Sequence, residues 1–207
     1  MKAYLLGLDH QYKRIFDMFL IQESSSNQKR IFKWLKNTIP YVRSKHPDDF
    51  QVIKESILYR LKELVMLSSE QTRQIILGLD QNLEIEAIKQ LNAFPKLQLD
   101  YIRGIFKGPE ENKKIPDSLL VLHLKLLCQL QPKQVLKEIK LTTYPLDECL
   151  KLCREYDVKD ALAFFLERAG NLQEAINISL EVTKFIERIN LEFLVIQKII
   201  RKKSLKN

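Results

Sequence analysis

The stretch from Pro145 to Leu180 constrains the fold most strongly, because it holds three short amphipathic helices joined by very short turns. The apolar positions of the second helix are Val158, Ala161, Leu162, Phe165 and Leu166. Those of the third are Leu172, Ala175, Ile176 and Leu180. Spacings of three and four residues are typical of one buried helix face. Short helices in such close succession predict a stack of helical hairpins, an arrangement typical of protein-binding scaffolds rather than of enzymes.

The turns between these helices carry start and stop signals. Gly170 suits the left-handed conformation that often follows a helix end. Asn171, with Glu174 three residues later, forms a capping-box pattern at the next helix start. Asp157 and Asp160 have the same spacing one helix earlier, and we expect them to play the same part.

Helical patterns also fill the rest of the chain. We therefore predict an all-α fold class, an α-solenoid of stacked antiparallel helical hairpins. Alternating strand patterns between Asn-Gly or Asp-Gly turns are missing, and glycine is scarce, with five residues. Internal echoes at helix junctions lack a fixed short period, which indicates a solenoid whose sequence has drifted.

The coarse helix boundaries follow from the apolar spacing and from the prolines. Predicted helices cover residues 2–21, 28–38, 48–67 and, as a last helix or an extension of the one before it, roughly 184–202. Another is expected to start at Ser68 or Ser69 and to carry an apolar stripe at Thr72, Ile75, Ile76 and Leu79. Pro40 and Pro47 are expected to lie in the connection after the second helix. The prolines at 95, 116, 132 and 145 fall where helices begin, which is where a missing N–H costs least.

The net charge of +8, from 34 basic and 26 acidic residues, leaves several partner classes open. A basic excess is compatible with nucleic acid or an anionic membrane, but it is more often a solvated face. An RNA-binding helical repeat protein remains one alternative, which predicts basic side chains clustered along one concave face. Part of the excess lies in a C-terminal tail, at Lys198, Arg201, Lys202, Lys203 and Lys206.

Compartment signals in the sequence point to the cell interior. The most apolar run, Leu119 to Leu130, is interrupted by Lys125 and is too short for a bilayer span. The first residues lack the apolar length of a secretory signal. With three cysteines and no such signal, we expect a reducing, intracellular compartment.

No residue set predicts catalysis, a cofactor or a metal ion. Cys128, Cys149 and Cys153 are too few for a zinc site and are better explained as buried apolar residues. Asp147 and Glu148 lie in the first turn of a helix, where carboxylates complement the helix dipole. A helical enzyme remains an alternative, and it requires a deep pocket with converging titratable groups. The aromatic residues Phe32 and Trp34 are expected in the hairpin core rather than on a base-stacking surface.

Two segments resemble a known family. Residues 61–106 include LSSEQTRQIILGLDQNLEIEAIKQLNAFP, and residues 119–180 include LKLLCQLQPKQVLKEI and YPLDECLKLCREYDVKDALAFFLERAGNLQEAI. They are similar to the clathrin-heavy-chain-type repeat of endolysosomal tethering subunits, in particular the vacuolar protein sorting-associated protein 8 family of the CORVET tether. The resemblance is strongest over residues 55–181. It implies that residues 1–207 are a single solenoid segment, internal or C-terminal in a longer chain.

The resemblance implies a non-catalytic scaffold that acts in endosomal fusion and vacuolar or lysosomal protein transport. The partners it implies are class C vacuolar sorting proteins and a Rab-type GTPase, with no nucleic acid and no small-molecule substrate. The implied location is cytoplasmic and peripheral on endosomal membranes. Another clathrin-repeat coat, tether or ciliary transport complex remains an alternative.

Partner-binding residues are expected on exposed charged helix faces or in the loop at residues 108–115. The candidate side chains are Lys151, Arg154, Glu155 and Arg168.

Overall fold

The computed structural model describes residues 12–21, 25–80, 82–106, 115–140, 143–184, 187–188 and 191, and all regular structure in these ranges is helical. The predicted all-α class is therefore confirmed. The chain divides into two compact units, Met1–Asn112 and Lys113–Asn207. The expectation that residues 1–207 form a single segment stays a prediction.

Seven α-helices are described in the first unit. They are α1 (Tyr12–Leu20), α2 (Ser25–Lys45), α3 (Pro47–Tyr59), α4 (Leu61–Leu67), α5 (Ser69–Leu79), α6 (Leu83–Gln90) and α7 (Pro95–Phe106), with a 3-10 turn at Leu91–Ala93 before α7. Helix α1 packs on α2 and α3, α2 packs on α5, and α5 packs on α6 and α7. When α3 and α4 are counted as one arm, α1 and α2 each meet the next helix and the next but one, while the arm meets α5 and α7. This pattern of neighbours is that of stacked helical hairpins.

The apolar stripes predicted from the sequence form the core of this unit. On α5 the predicted stripe is buried, at Thr72, Ile75, Ile76 and Leu79. The side chain of Ser68 accepts a hydrogen bond from the Gln71 backbone N–H at 3.3 Å, so Ser68 caps α5 as expected. The aromatic prediction is also confirmed, because Phe32 is buried and Trp34 packs edge-on against Phe16 with ring centroids 5.9 Å apart.

Helix α2 is longer than predicted. The expected break at Pro40 is wrong, because α2 continues through this proline to Lys45. Pro40 lies on the exposed side of the helix, where the carbonyl oxygen that loses its N–H donor can bond to water instead. The buried residues Ile39 and Val42 hold the backbone on the opposite side. Pro47 begins α3, as expected.

The predicted long helix at residues 48–67 is two helices. Arg60 separates α3 from α4, with φ −101° and ψ 19°. Its guanidinium pairs with the Asp17 carboxylate of α1 and with Glu63 at 3.5 Å. The apolar spacing runs unbroken through this position, so periodicity alone could not reveal the break.

The second unit contains α8 (Asp117–Leu130), a 3-10 turn at Pro132–Gln134, α9 (Val135–Ile139), α10 (Leu146–Glu155), α11 (Lys159–Arg168) and a further helix, α12, over residues 172–184. Helix α8 packs on α9 and α10, and α11 packs on α9 and α10. Helix α8 thus meets the next helix and the next but one, α9 meets the next but one, and α10 meets the next. Residues 2–11 and 192–202 of the predicted first and last helices lie outside the described residues, as do residues 108–114 of the predicted contact loop.

Candidate protein-interaction surface

An open groove runs between α11 and α12 in the second unit. Its volume is about 500 Å³. Both walls are mainly apolar, and their large side chains are Leu136, Phe164, Leu172, Ile176 and Leu180. Carboxylates of Asp160 and Glu167 stand at its edge, together with the ammonium of Lys140. An apolar floor with a charged rim is typical of a surface that takes a helix of another protein.

The α12 wall of the groove contradicts one sequence prediction. The stripe on this helix was expected to be buried, but Leu172, Ile176 and Leu180 are 57%, 55% and 52% exposed. Only Ala175 of the predicted stripe is buried. Spacing along the helix correctly identified an apolar face, but no described element covers that face. Covering three half-exposed aliphatic side chains would contribute roughly 1 kcal/mol each.

Local contacts fix α12 against the helices beneath it. Gly170 takes the left-handed conformation with φ 81°, as predicted, and turns the chain after α11. The Asn171 side chain donates to the Glu174 carboxylate at 2.7 Å and accepts from its backbone N–H at 3.5 Å. Arg154 of α10 also donates to Glu174, at 3.0 Å. The first turn of α12 is thereby held in place while its apolar side faces outward.

The turn before α11 differs from the expected capping box. Val158, not Asp157, occupies the N-cap of α11, and no side-chain capping bond forms there. Asp157 instead has φ 51°, which places it in the left-handed region. Asp and Asn tolerate that region better than most residues, so the aspartate serves the turn rather than the cap.

The four predicted partner-binding residues are all exposed. Lys151, Arg154 and Glu155 share one side of α10, since Arg154 and Glu155 lie three and four positions after Lys151. Arg154 is already engaged with Glu174. Arg168 belongs to α11, and its guanidinium lies over the Phe164 ring at 5.2 Å, next to the groove. The role of these four residues in partner binding stays a prediction.

Beneath this surface the three cysteines lie in the core, as predicted. Cys128, Cys149 and Cys153 are all buried and unbridged. Burial raises the pKa of Cys149 to about 12. A hydrogen bond with Cys128, together with burial, also raises the pKa of Cys153. Cys149 and Cys153 therefore stay protonated at neutral pH, and protonated thiols are poor nucleophiles and poor metal ligands.

A buried polar network lies beside these thiols. Nδ1 of His123 is 2.8 Å from the Tyr144 hydroxyl, and its Nε2 is 3.4 Å from the Glu138 carboxylate. Burial raises the pKa of Tyr144 well above its usual value. The histidine thus joins α8, α9 and the segment before α10, and this is a structural role.

The described residues were also compared with the requirements of a metal site and of a membrane-spanning helix. Among the described residues, no cluster of three or more His, Cys, Asp and Glu side chains could hold a metal ion. Within the same ranges, no helix combines the length and apolar character that crossing a bilayer requires.

Comparison with known proteins identifies the family. The sequence matches the family described as the Vps41 TPR-like region over residues 9–198. The chain belongs to this family. The match covers nearly the whole chain, and it agrees with the order of helix contacts in both units. The sequence resemblance to tether subunits of the vacuolar sorting type is thereby confirmed.

Relatives of this Vps41 TPR-like chain are distant in sequence. It is 24% identical to the mouse (Mus musculus) vacuolar protein sorting-associated protein 8 homolog over 185 residues, which are 86% of this chain and 13% of that protein. It is 23% identical to the vacuolar protein sorting-associated protein 41 homologs of mouse and human (Homo sapiens) over 153 residues, 68% of this chain and 17% of each relative. No solved structure matches the sequence. The chain therefore corresponds to a small part of each relative.

The groove between α11 and α12 was not predicted from the sequence. The apolar residues of α12 were identified, but periodicity reports only that one helix face is apolar, not whether another element covers it. A useful signal was the side chain of Phe164, which falls off the main stripe of α11. Its half-buried ring forms the opposite wall of the groove.

Proposed function

We propose that this chain is a non-catalytic protein–protein interaction scaffold of an endosomal vesicle-tethering complex of the CORVET type. Membership of the Vps41 TPR-like family supports this proposal, as do the names of the relatives, which are vacuolar protein sorting-associated proteins. The observation that carries it is the apolar groove between α11 and α12, which none of the described elements covers. A stack of helical hairpins with such a groove is suited to binding rather than to chemistry.

The groove's occupant in this proposal is a helix of another tether subunit, such as a class C vacuolar sorting protein. Leu172, Ile176 and Leu180 lie on successive turns and span about 12 Å along α12, at about 1.5 Å per residue. A partner helix with its own apolar stripe would fit against them. Basic residues on its flank would meet the carboxylates of Asp160 and Glu167. Arg168, Lys151 and Glu155 would belong to the charged rim around this contact.

The wider proposal follows from the same relatives. The complex would act in endosomal fusion and in protein transport to the vacuole or lysosome. The chain would be cytoplasmic and peripheral on endosomal membranes, and a Rab-type GTPase would be a further partner of the assembly. Rigid packing of the hairpins within each unit would present the groove without rearrangement on binding.

Affinity purification of the full-length protein from its native cells tests the proposal. We expect class C vacuolar sorting subunits to co-purify with the wild type. Ile176→Asp places a charge in the centre of the groove, and we expect it to reduce their recovery at least tenfold. Asn177→Asp adds the same charge at the neighbouring exposed position of α12 and should leave recovery unchanged.

The possible results test the proposed function and the proposed docking surface separately. Ribosomal or RNA-processing partners in place of tether subunits would show that the function is wrong. Tether subunits that bind the wild type and Ile176→Asp equally would show that the groove is not the docking surface. A truncated chain lacking residues 192–207 that gains tether binding would show that this segment of the chain, not a partner, normally covers the groove.

A further inference from the structure

The exposed side of α2 in the first unit carries an unusual concentration of positive charge. This helix of 21 residues has no Asp or Glu. Its basic residues are Lys29, Arg30, Lys33, Lys36, Arg43 and Lys45. The helix therefore contributes six of the positive charges in a chain whose net charge is +8. The basic excess is concentrated in this element and in the C-terminal tail, not spread evenly.

The charges lie on the side of α2 that faces away from the core. Residues that pack inward recur at helical spacing, at Ile31, Phe32, Leu35, Ile39 and Val42. The cations described on the other side, Arg30, Lys33, Lys36, Arg43 and Lys45, are exposed. Between Arg30 and Lys45 the helix extends for about 22 Å, at about 1.5 Å per residue.

The structure distinguishes cations with an internal role from those without one. Arg43 is structural, because it donates to the Gly78 and Leu79 carbonyls at 2.9 and 2.6 Å and so caps the C-terminus of α5. Within the described part of the chain, Lys36 donates to an amide oxygen, that of Gln74, at 3.2 Å, and not to a carboxylate. Among the described residues, neither Arg30 nor Lys33 forms an ion pair with a carboxylate.

Carboxylates near α2 offset part of its positive charge. Asp48 and Asp49, in the first turn of α3, follow Lys45 closely in the chain and offset its charge. Glu70 is one turn before Gln74 on α5 and is the acidic residue of that neighbouring helix face. Arg30, Lys33 and Lys36 outnumber Glu70, so this part of α2 keeps a net positive charge, and we call these three residues the α2 basic face.

We propose that the α2 basic face binds the surface of a membrane that contains anionic lipids. This inference goes beyond the proposed function, which requires only that the complex as a whole is held at a membrane. Each Lys or Arg near an anionic bilayer contributes about 1 kcal/mol of attraction, so a few such residues give a weak, reversible contact. A scaffold that is also held by partner subunits would gain orientation from such a contact.

The shape and chemistry of the face favour a lipid surface over nucleic acid. A single exposed helix is convex, so it can lie along a flat membrane, whereas single-stranded nucleic acid is usually bound in a groove with stacking aromatic rings. Tyr41, 49% exposed, is the large aromatic side chain that α2 exposes, and it is tilted against the His46 ring. Lysine, a hydrated point charge, suits diffuse attraction to many head groups.

Co-sedimentation of the purified chain with vesicles tests the proposal. The two vesicle types are phosphatidylcholine alone and phosphatidylcholine mixed with phosphatidylserine. The wild type should bind only the mixed vesicles, and added salt should release it. The variant Arg30→Gln/Lys33→Gln/Lys36→Gln removes three charges and should lower the partition coefficient by roughly a hundredfold.

A matched variant controls for net charge. Lys89→Gln/Lys96→Gln/Lys125→Gln removes the same charge from exposed positions outside α2, and we expect it to bind nearly as well as the wild type. Circular dichroism checks that both variants are helical and unfold at the wild-type temperature. Equal loss in the two variants would overturn the proposal, since attraction would then depend on net charge alone.

Two further outcomes would also overturn it. The first concerns the C-terminal tail. We expect most vesicle binding to remain in the variant Lys198→Gln/Arg201→Gln/Lys202→Gln/Lys203→Gln. Loss of all binding in that variant would assign the membrane contact to the tail. The second concerns RNA. If the wild type binds single-stranded RNA more tightly than it binds the mixed vesicles, and the α2 variant binds that RNA more weakly, the α2 basic face is a nucleic-acid site. Neither outcome affects co-purification of tether subunits, so this proposal and the proposed function fail independently.

Discussion

The first unit exposes charge along one helix, whereas the second exposes a row of aliphatic side chains. In the first unit α2 turns Lys33 and its basic neighbours outward and buries every large apolar residue on its inner side. In the second unit α12 buries Ala175 and leaves Ile176 and its neighbours half exposed. Salt weakens attraction between charges but not apolar contact, so the two surfaces suit different partners. One repeated hairpin architecture thus supports two kinds of interaction.

The interiors of the units differ as well. A tight ion pair lies in the first unit, where the Arg73 guanidinium is 2.7 Å from the Glu84 carboxylate and both side chains are almost buried. In the second unit the buried polar groups are three thiols, the Tyr144 hydroxyl and the His123 ring, set among apolar side chains. Changes of charge and changes of pH should therefore affect the two units differently.

The largest expected loss of stability comes from a substitution in α11, whose two phenylalanines differ in burial. Phe165 is fully buried and meets the Tyr144 ring edge-on with centroids 6.2 Å apart, whereas Phe164 is only half buried at the groove. We expect Phe165→Ala to lower the free energy of unfolding by about 3–5 kcal/mol, because it leaves a cavity in the core. Phe164→Ala should cost about 1 kcal/mol.

Urea denaturation measures both changes, and hydrogen exchange followed by mass spectrometry shows where protection is lost. We expect Phe165→Ala to reduce protection in α8 to α11 while amides of α2 and α5 keep theirs. Equal loss of protection in both units would contradict the division of the chain into separately stable parts.

A second comparison contrasts ion pairs in the two units. Glu84→Ala leaves the Arg73 charge nearly buried beside the Gly104 carbonyl, which accepts from it at 3.2 Å. We expect a loss of about 3 kcal/mol, because an unpaired charge must then stay in the interior. Arg154→Ala breaks the exposed pair with Glu174 and should cost less than about 1 kcal/mol.

Chemical denaturation at low and high salt checks this contrast. The cost of Arg154→Ala should fall further as salt rises, while that of Glu84→Ala should hardly change. Similar costs for the two variants would show that Arg73 and Glu84 are better hydrated than their burial indicates.

Alkaline pH should weaken the second unit first. Burial raises the pKa of Cys149 to about 12, above the value near 8.5 of an unfolded cysteine. The unfolded chain therefore loses this proton at lower pH than the folded one, so the stabilisation is complete below about pH 8.5 and declines as pH rises toward 12. For this thiol the slope approaches about 1.4 kcal/mol per pH unit between the two values.

Unfolding by urea between pH 8 and pH 10 measures the slope, with Cys149→Ala as the comparison. The variant is expected to be less stable at pH 8, since it loses buried volume, but to have a shallower pH dependence. Parallel curves for the wild type and the variant would contradict the assignment to Cys149. Below pH 10 the tyrosines contribute little, because their ordinary pKa is near 10 and burial raises it for Tyr101 and Tyr144.

Sequence periodicity predicted most of the fold because buried stripes and helix starts are local signals. The stripe of α5 and the cap at Ser68 are read within one helix, and the structure confirms both. Errors occurred where a distant neighbour decides the outcome. Arg60 ends α3 where it reaches Asp17, which lies 43 positions away, and Pro40 is tolerated because its side of α2 faces solvent.

The candidate site shows the same limit. Nothing in the α12 sequence distinguishes an apolar face covered by another helix from one that is open, since both have the same spacing. The exposed charges of Arg154 and Arg168 could be predicted, but their engagement with Glu174 and Phe164 depends on helix packing.

The smallest effects are expected for substitutions of the helix-capping residues, which each unit has in the sequence next to the helix they cap. Ser68→Ala removes the acceptor for the Gln71 N–H at the start of α5, where the helix packs on both sides, and should cost about 1 kcal/mol. Asn171→Ala removes a longer capping bond, 3.5 Å to the Glu174 N–H, and a 2.7 Å bond to the Glu174 carboxylate. Both lie in an exposed turn where water can replace them, so the change should cost about half as much. Because α12 is also held by Arg154, loss of its cap should fray only the first turn. Hydrogen exchange at the Glu174 amide measures that fraying. Unfolding of the whole of α12 in Asn171→Ala would show that the cap, rather than packing against the other helices of the second unit, keeps α12 folded and the groove formed.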